Sequence, residues 1–452
     1  MYQKHILIKM KQWLYKPVDI FPLVLFRLFL GFVLLAEALN AILSGWIEKV
    51  FSETPFTFPF IGFEWLQPFS GNGMYVYYSV LAVLSIFVIL GYQYKWAMAG
   101  YGFLWAGVYL MQKTTYNNHF YLLLIVCFLM FLLPANRAFS IDAKRNQSFA
   151  TNAMPQWMLW AMMAQITIVY VFGAIAKIYP DWLDGTCTRI IFENRMHHPT
   201  LKNLFNHHYF HLFIAYAGIF FDGFVIFFLL WSRTRTLALI ASLIFHLFNS
   251  LTLPVGVFPY FALSFIVFFY PASKLRKWFF QKPITQLQSI PIPEQGKKLV
   301  NFVFIPFLIV QLLLPVRHWF IPGDVLWTEE GHRLSWRMML RFRSGETTIK
   351  LYDYEAKDTT YYKIDERFNT HQKRFLSAYP DGIWQFAQFL KEEKAKEGKK
   401  IGVFCDAFVS VNQHPKRRLV DPKVDLAQAK WDYFGHNDWI LLYDENGNLI
   451  KK

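Results

Sequence analysis

The chain has 452 residues, of which 55% are hydrophobic, 19% aromatic and only 17% charged, with a mean hydropathy of +0.24; soluble domains carry roughly 25% charge, so an ordinary soluble enzyme is excluded. The net charge of +15 does not point to nucleic acid. Lys and Arg gather at the ends of apolar stretches, where they set topology and meet anionic headgroups, and no basic stripe interleaved with aromatics occurs in a polar region. Three cysteines, Cys127, Cys187 and Cys405, without CxxC or Cys/His spacing, give no sign of structural zinc or a redox dithiol.

A membrane-crossing helix needs about 20 apolar residues. In chain order the predicted spans are 19–44, 74–93, 96–112, 119–134, 156–177, 208–231, 236–253, 258–270 and 299–316, the third, fourth and eighth being short. No small-residue cleavage site follows the first, which reads as a retained helix rather than a signal peptide. One set of connecting segments is basic (Lys4, Lys9, Lys11, Lys16; Lys95; Arg137, Lys144, Arg145; Arg233, Arg235; Lys274, Arg276, Lys277, Lys282) and the alternate set is poorer. The positive-inside rule places the basic set, and the N-terminus, in the cytoplasm. After Val316 the chain turns polar and mixed. Residues 346–364 alternate as two strands around a polar turn, 380–396 carry apolar residues at helical spacing after Pro-Asp-Gly, and 401–412 read as a buried strand. The expected fold is an α-helical polytopic membrane protein of about nine transmembrane helices, residues 1–316, with a small extracytoplasmic α+β domain, residues 317–452. Cys127 falls within a span. Cys187 and Cys405 fall outside the membrane, where a bridge between them is open but not required.

Charge sorting alone brings three polar groups to the outer leaflet. Asn117, Asn118 and His119 begin the fourth span, Lys177 ends the fifth, and His246 and Asn249 share a face in the outer half of the seventh. Polar groups at bilayer depth are costly and mark functional sites. Each also has a plain structural reading: Lys177 snorkelling to headgroups, the asparagines capping a helix, His246 hydrogen-bonded within a core. Arg27, Glu37 and Asp222 lie inside spans and read first as buried structural pairs, Arg27 and Glu37 being too far apart to pair with each other. The functional reading is that a lysine facing an apolar pocket loses hydration, which favours the neutral amine. Such an amine acts as a base on a weakly acidic hydroxyl, and a neighbouring His or Asn stabilises the developing anion. This suits proton abstraction from a membrane-dissolved quinol. His197 and His198, and His207, His208 and His211, lack a nearby acidic ligand and are also explained by an interfacial belt, so no metal is expected. No Gly-rich phosphate loop and no GxSxG element occurs.

Several segments resemble one family in its own order: LYKPVDIFPLVLFRLFLG (14–31), KTTYNNHFYL (113–122), QITIVYVFGAIAKIYPDWLDG (165–185), FHLFNSLTLPVGVFPY (245–260), LSWRMMLRFRS (334–344) and FVSVNQHPKRRLVDPKVDLAQAKW (408–431). The chain resembles the vitamin K-dependent gamma-glutamyl carboxylases and their bacterial homologues, which share the HTTM ("horizontally transferred transmembrane") domain. The resemblance implies oxidation of vitamin K hydroquinone (phylloquinol or menaquinol) by oxygen to its epoxide. The strong base so generated removes a γ-proton from a peptide glutamate, and the carbanion takes up carbon dioxide. By the same resemblance the essential lysine falls on Lys177 and the active-site histidine on His119. Asn117, Asn118, His246 and Asn249 fall beside the quinol, while Trp336, Met338, Met339 and Arg343 fall on the substrate side of the outer domain. The chain departs from the animal enzymes at Arg337, where they are acidic, and at Arg341, where they have histidine. It also lacks their long C-terminal portion and a clear counterpart of the family's extracytoplasmic cysteine pair. The implied partners are membrane lipid and a glutamate-containing secreted or periplasmic peptide, and the implied location is the inner (cell) membrane. The alternatives are a quinol epoxidase or quinone-binding membrane protein without carboxylation, and a transporter, against which stands the absence of an internal repeat.

Overall fold

The computed structural model describes residues 9, 12–52, 56–193, 203, 205–284, 286–288, 294–364 and 368–450. Its membrane part is built from α1 (Phe21–Leu43), α2 (Gly73–Leu90), α3 (Tyr94–Met111), α4 (Asn118–Leu132) and α5 (Gln156–Ala176). The short α6 (Thr186–Glu193) follows, then α7 (His208–Leu230), α8 (Arg235–Thr252), α9 (Phe258–Ser264), which runs on as a 3₁₀ turn to Phe269, and α10 (Ile305–Val316). All nine predicted segments are helical, though not all are long and apolar enough to cross a membrane by length and composition. Six helices are long and apolar enough: Phe21–Leu43, Gly73–Leu90, Gln156–Ala176, His208–Leu230, Arg235–Thr252 and Gly296–Phe320. The helices Asn118–Leu132 and Phe258–Phe269 are apolar but shorter. α3 owes its weaker apolar character to Lys95 and its Gly, Tyr and Trp residues.

The helices pack in sequence, α2 on α1 and α3, α4 on α3, then α5 on α7, α7 on α8, α8 on α9, and α9 back on α1. A two-stranded clip, β1 (Pro17–Asp19) antiparallel to β2 (Ala153–Pro155), ties the entry of α1 to the entry of α5. The buried Arg27 of α1 has no carboxylate in ion-pair range among the described residues, contrary to the expected pair. Its guanidinium donates to the carbonyls of Ala135 (2.8 Å) and Phe139 (2.6 Å), which close the turns after α4. Gly91 makes this possible. It ends α2 at φ 59°, and a Cβ there would lie 2.9 Å from the Arg27 Nη1.

Beyond Val316 the two predicted strands are β3 (Arg343–Asp353) and β4 (Asp358–Tyr362), and the third is β5 (Ile401–Val411). With β6 (Arg417–Arg418) they form an antiparallel sheet of order β4-β3-β5-β6, Ile349 opposite Cys405. The helices α11 (Thr370–Ala378) and α12 (Pro380–Lys396), the latter at the predicted residues, bury Phe375, Leu376, Ile383, Phe386 and Leu390 with Ile349, Val403 and Val409 of the sheet. Phe58, from the loop between α1 and α2, is fully buried in the same core. A separate apolar cluster joins Trp182, Cys187 and Ile191 to Val325, Leu326 and Leu340. Asp181 accepts from Asn412 Nδ2 (2.7 Å) and from His414 Nε2 (2.9 Å), adding polar ties at this junction. Cys187 and Cys405 are not bridged: each is a free, buried thiol, one in this junction cluster and the other in the sheet core.

Candidate functional site

The three polar groups singled out in the sequence share one cavity of about 340 Å³, within the roughly 300–1,000 Å³ typical of small-molecule sites. Asn117, Asn118 and His119 reach it from the start of α4, Lys177 from the end of α5, and His246 and Asn249 from α8. Phe192, Phe245, Phe248 and Phe258 make its walls largely apolar. Residues 329–342, the loop that precedes β3, bring His332, Arg337, Met338, Met339 and Arg341 to the same space. Lys177, His119 and His246 make no hydrogen bond to one another among the described residues.

Lys177 is not the isolated amine expected from the sequence. Its Nζ forms a buried ion pair with Asp222 of α7, and it contacts the Gly173 carbonyl at 3.4 Å and lies 5.4 Å from the Trp182 ring. The side chains of the pair are 9% and 7% exposed. The loss of hydration is therefore met by a carboxylate, and the basic group at this wall is the pair. Glycine keeps the surroundings open. A Cβ on Gly173 would stand 3.3 Å from Met338 Cε and 3.5 Å from Asp222 Oδ2, and one on Gly218 3.9 Å from the Lys177 Cε.

His246 is 1% exposed, and its Nε2 lies 2.8 Å from the Tyr170 hydroxyl. That phenol has no other hydrogen-bond partner among the described residues, so its O–H donates to Nε2 and the ring proton is assigned to Nδ1. Nδ1 has no partner, so this wall of the cavity carries an unused N–H donor. His119 is half-buried, its ring 5.6 Å from that of Phe258. Asn117 fulfils the plain reading, since its Oδ1 accepts from Phe120 N (2.8 Å) and caps α4. Asn118 ties the wall to the loop: its Nδ2 donates to the Arg337 carbonyl (2.9 Å) and its Oδ1 accepts from Tyr116 (3.0 Å).

The four residues expected on the substrate side divide. Met338 and Met339 line the cavity. Trp336 does not; it is 1% exposed and stacks on Tyr121 at 4.9 Å within the membrane core. Nor does Arg343, which opens β3 with its guanidinium turned inward to the carbonyls of Ala378 (2.8 Å), Leu326 (2.6 Å) and Trp327 (2.9 Å). Both hold the loop rather than face the hollow. Leu334, Trp336 and Met339 all have φ between 57° and 61°, left-handed backbone that costs about 1–3 kcal/mol per residue and clusters at ligand sites. Among the described residues no group of three or more His, Cys, Asp or Glu is arranged to hold a metal ion. His207 instead stacks on Tyr209 (5.5 Å), and His197 and His198 lie outside the described residues.

Residues 15–273 match the family model of the HTTM domain, and residues 296–446 match that of the vitamin K-dependent gamma-carboxylase, lumenal domain. The chain belongs to the vitamin K-dependent gamma-glutamyl carboxylase family. No solved structure matches it. The carboxylase family implies vitamin K hydroquinone and a glutamate-containing substrate, and the cavity fits the former: apolar aromatic walls for a naphthoquinol ring, with the orphan N–H of His246 and the Lys177–Asp222 pair for its hydroxyls. Polar residues of this carboxylase-family cavity that escaped the sequence reading as site residues include Tyr170, Asp222, His332, Arg337 and Arg341. Asp222 was legible as an ionisable group inside a span, and Tyr170 as the residue seven before Lys177 and hence on the same helix face. His332 and Arg337 carry no such local signal.

Proposed function

We propose that this chain is an integral-membrane gamma-glutamyl carboxylase that couples oxidation of vitamin K hydroquinone to its epoxide with conversion of peptide glutamate to γ-carboxyglutamate. The observation that carries this reading is the convergence of Lys177, His119 and His246, separated by 58 and 69 residues in sequence, on one cavity beneath the lumenal-type domain. The hydroquinone supplies the reducing electrons and, with oxygen, the strong base that no side chain near neutrality provides. The Lys177–Asp222 pair receives the quinol hydroxyl proton, the carboxylate as acceptor and the ammonium beside it steadying the anion left behind. Tyr170 holds His246 so that its Nδ1–H meets the developing oxyanion, and His119 flanks the ring. The phenylalanine walls and the 329–342 loop keep water from a base that water would quench. In this reading residues 1–316 are the catalytic membrane domain. Residues 317–452 face the extracytoplasmic side of the inner membrane, where secreted or periplasmic glutamate peptides arrive.

The test is purified protein with reduced vitamin K, oxygen, labelled hydrogencarbonate and a glutamate peptide. Label in the peptide together with epoxide is expected, and both are lost in folded Lys177→Met. Epoxide without label leaves a quinol epoxidase, and neither product from folded wild type refutes the reading.

A further inference from the structure

The seam between the membrane helices and the 329–342 loop holds more positive than negative charge, and holds it buried. Asp381 pairs with two cations, Lys113 at 2.8 Å and Arg333 at 2.7 Å. Glu329 serves Arg341 (Nη2 to Oε2, 2.9 Å) and Arg343 (3.6 Å), with the His332 ring at 4.0 Å. Glu330 is taken up by His436 and by both nitrogens of Asn437. Arg337 is left over. It is 8% exposed, lines the cavity, and has no carboxylate in ion-pair range among the described residues. Asp324 and Glu329 act on it only from further off. Its Nη1 donates to His318 Nε2 at 3.2 Å. That ring is neutral, because its Nδ1 donates to the Pro315 carbonyl at 2.8 Å and Nε2 must accept. The Arg337 Nε has no hydrogen-bond partner, and neither nitrogen of His332, 2% exposed on the same wall, makes a hydrogen bond, its Nδ1 lying 4.0 Å from the Glu329 carboxylate. A buried guanidinium without a counter-charge is costly unless an anion joins it.

We propose that Arg337 and His332 form a carboxylate subsite at the loop end of the cavity, which takes the side-chain carboxylate of a glutamate in the peptide substrate. This rests on the function proposed above and names the residues that recognise the substrate. The guanidinium fork and one imidazole N–H supply charge-assisted donors for a planar oxyanion. Asn118 fixes the loop at the Arg337 carbonyl, and the left-handed residues Leu334, Trp336 and Met339 hold its shape. Met338 spans the gap to the other pole, its Cε beside Gly173 and hence Asp222. A glutamate anchored at Arg337 therefore presents its γ-methylene across Met338 toward the Lys177–Asp222 end.

The experiment measures binding to the full chain in detergent without quinol, so turnover does not enter. A short blocked glutamate peptide, its glutamine analogue and sodium hydrogencarbonate are the probes. The glutamate peptide is expected to bind at least roughly tenfold more tightly than the glutamine analogue, the scale of a charge-assisted contact. Arg337→Met is expected to abolish that preference while leaving the thermal unfolding temperature unchanged or raised, since it removes an uncompensated charge. Should that variant fail to fold, His332→Phe is expected to weaken glutamate binding and His332→Gln, which keeps an N–H, to preserve it. Equal binding of the two peptides by wild type overturns the subsite, as does displacement of nothing but hydrogencarbonate. A preference for glutamate that survives both Arg337→Met and His332→Phe also overturns it. Selective glutamate binding by a protein that makes no γ-carboxyglutamate keeps the subsite and removes the catalytic reading.

Discussion

Replacing Asp222 with Asn separates the role of the lysine from that of its carboxylate. In the native pair both side chains are more than nine-tenths buried, and removing one partner of such a pair costs about 3–5 kcal/mol because a charge is left without compensation. The remaining contacts of Lys177 are the Gly173 carbonyl at 3.4 Å and the Trp182 ring at 5.4 Å. Both contacts are already made in the native protein, so they do not offset the loss. The folded state therefore loses about 3–5 kcal/mol, roughly two to four powers of ten in the folding equilibrium. Lys177→Met leaves the opposite charge orphaned and is destabilising for the same reason. The double variant Lys177→Met/Asp222→Leu removes both charges and is expected to unfold at a higher temperature than either single variant. Catalysis follows a different rule. If the pair acts as one base, each single variant lowers epoxide formation by roughly 10²–10⁴ and the double variant by no more than the worse single. Epoxide measured by chromatography in nanodiscs, with unfolding followed in parallel, gives the full cycle. An Asp222→Asn protein that is both as stable and as active as wild type would refute the argument.

At the seam, burial and the charge of Arg333 push the Lys113 amine from 10.5 down to about 8 despite Asp381, while Arg333 and Lys113 overcome burial and hold Asp381 well below its ordinary 3.8. A depressed carboxylate stabilises the fold above about pH 4 and loses that contribution as pH falls further into acid. A depressed amine also makes stability rise with pH, in a higher window: the unfolded chain binds the extra proton between pH 8 and 10.5, so below that window the buried amine counts against the fold whereas the carboxylate counts for it. Accordingly, at pH 7 Asp381→Asn lowers the unfolding temperature whereas Lys113→Met leaves it equal or higher; the reverse order would contradict the charge count at the seam. Tyr170→Phe frees the His246 ring and is expected to lower kcat by about tenfold or more with little change in KM for the quinol. An unchanged kcat would mean that this tautomer is immaterial.

The chain's apolar periodicity and the positions of its charges were enough to read a polytopic membrane protein with a small α+β tail. Helix 380–396 and the strands around 346–364 and 401–412 were legible because their patterns are local. Charge sorting also aligned His119, Lys177 and His246 at one depth, since depth is a one-dimensional property that sequence carries. Of the nine predicted spans, two form helices shorter than a crossing needs and a third, α3, is long enough but less apolar. Partnership is a matter of three dimensions. Nothing local tells Asp222 to meet Lys177 across α5 and α7, sends Arg27 to backbone carbonyls rather than to an acid, or keeps Cys187 and Cys405 in separate cores. The same holds for Trp336 and Arg343, turned inward while Met338 and Met339 face the hollow, because one left-handed residue in a loop reverses where its neighbours point. The unpaired charge of Arg337 appears only when every buried carboxylate nearby has been assigned to its cations, a sum over residues drawn from distant parts of the chain.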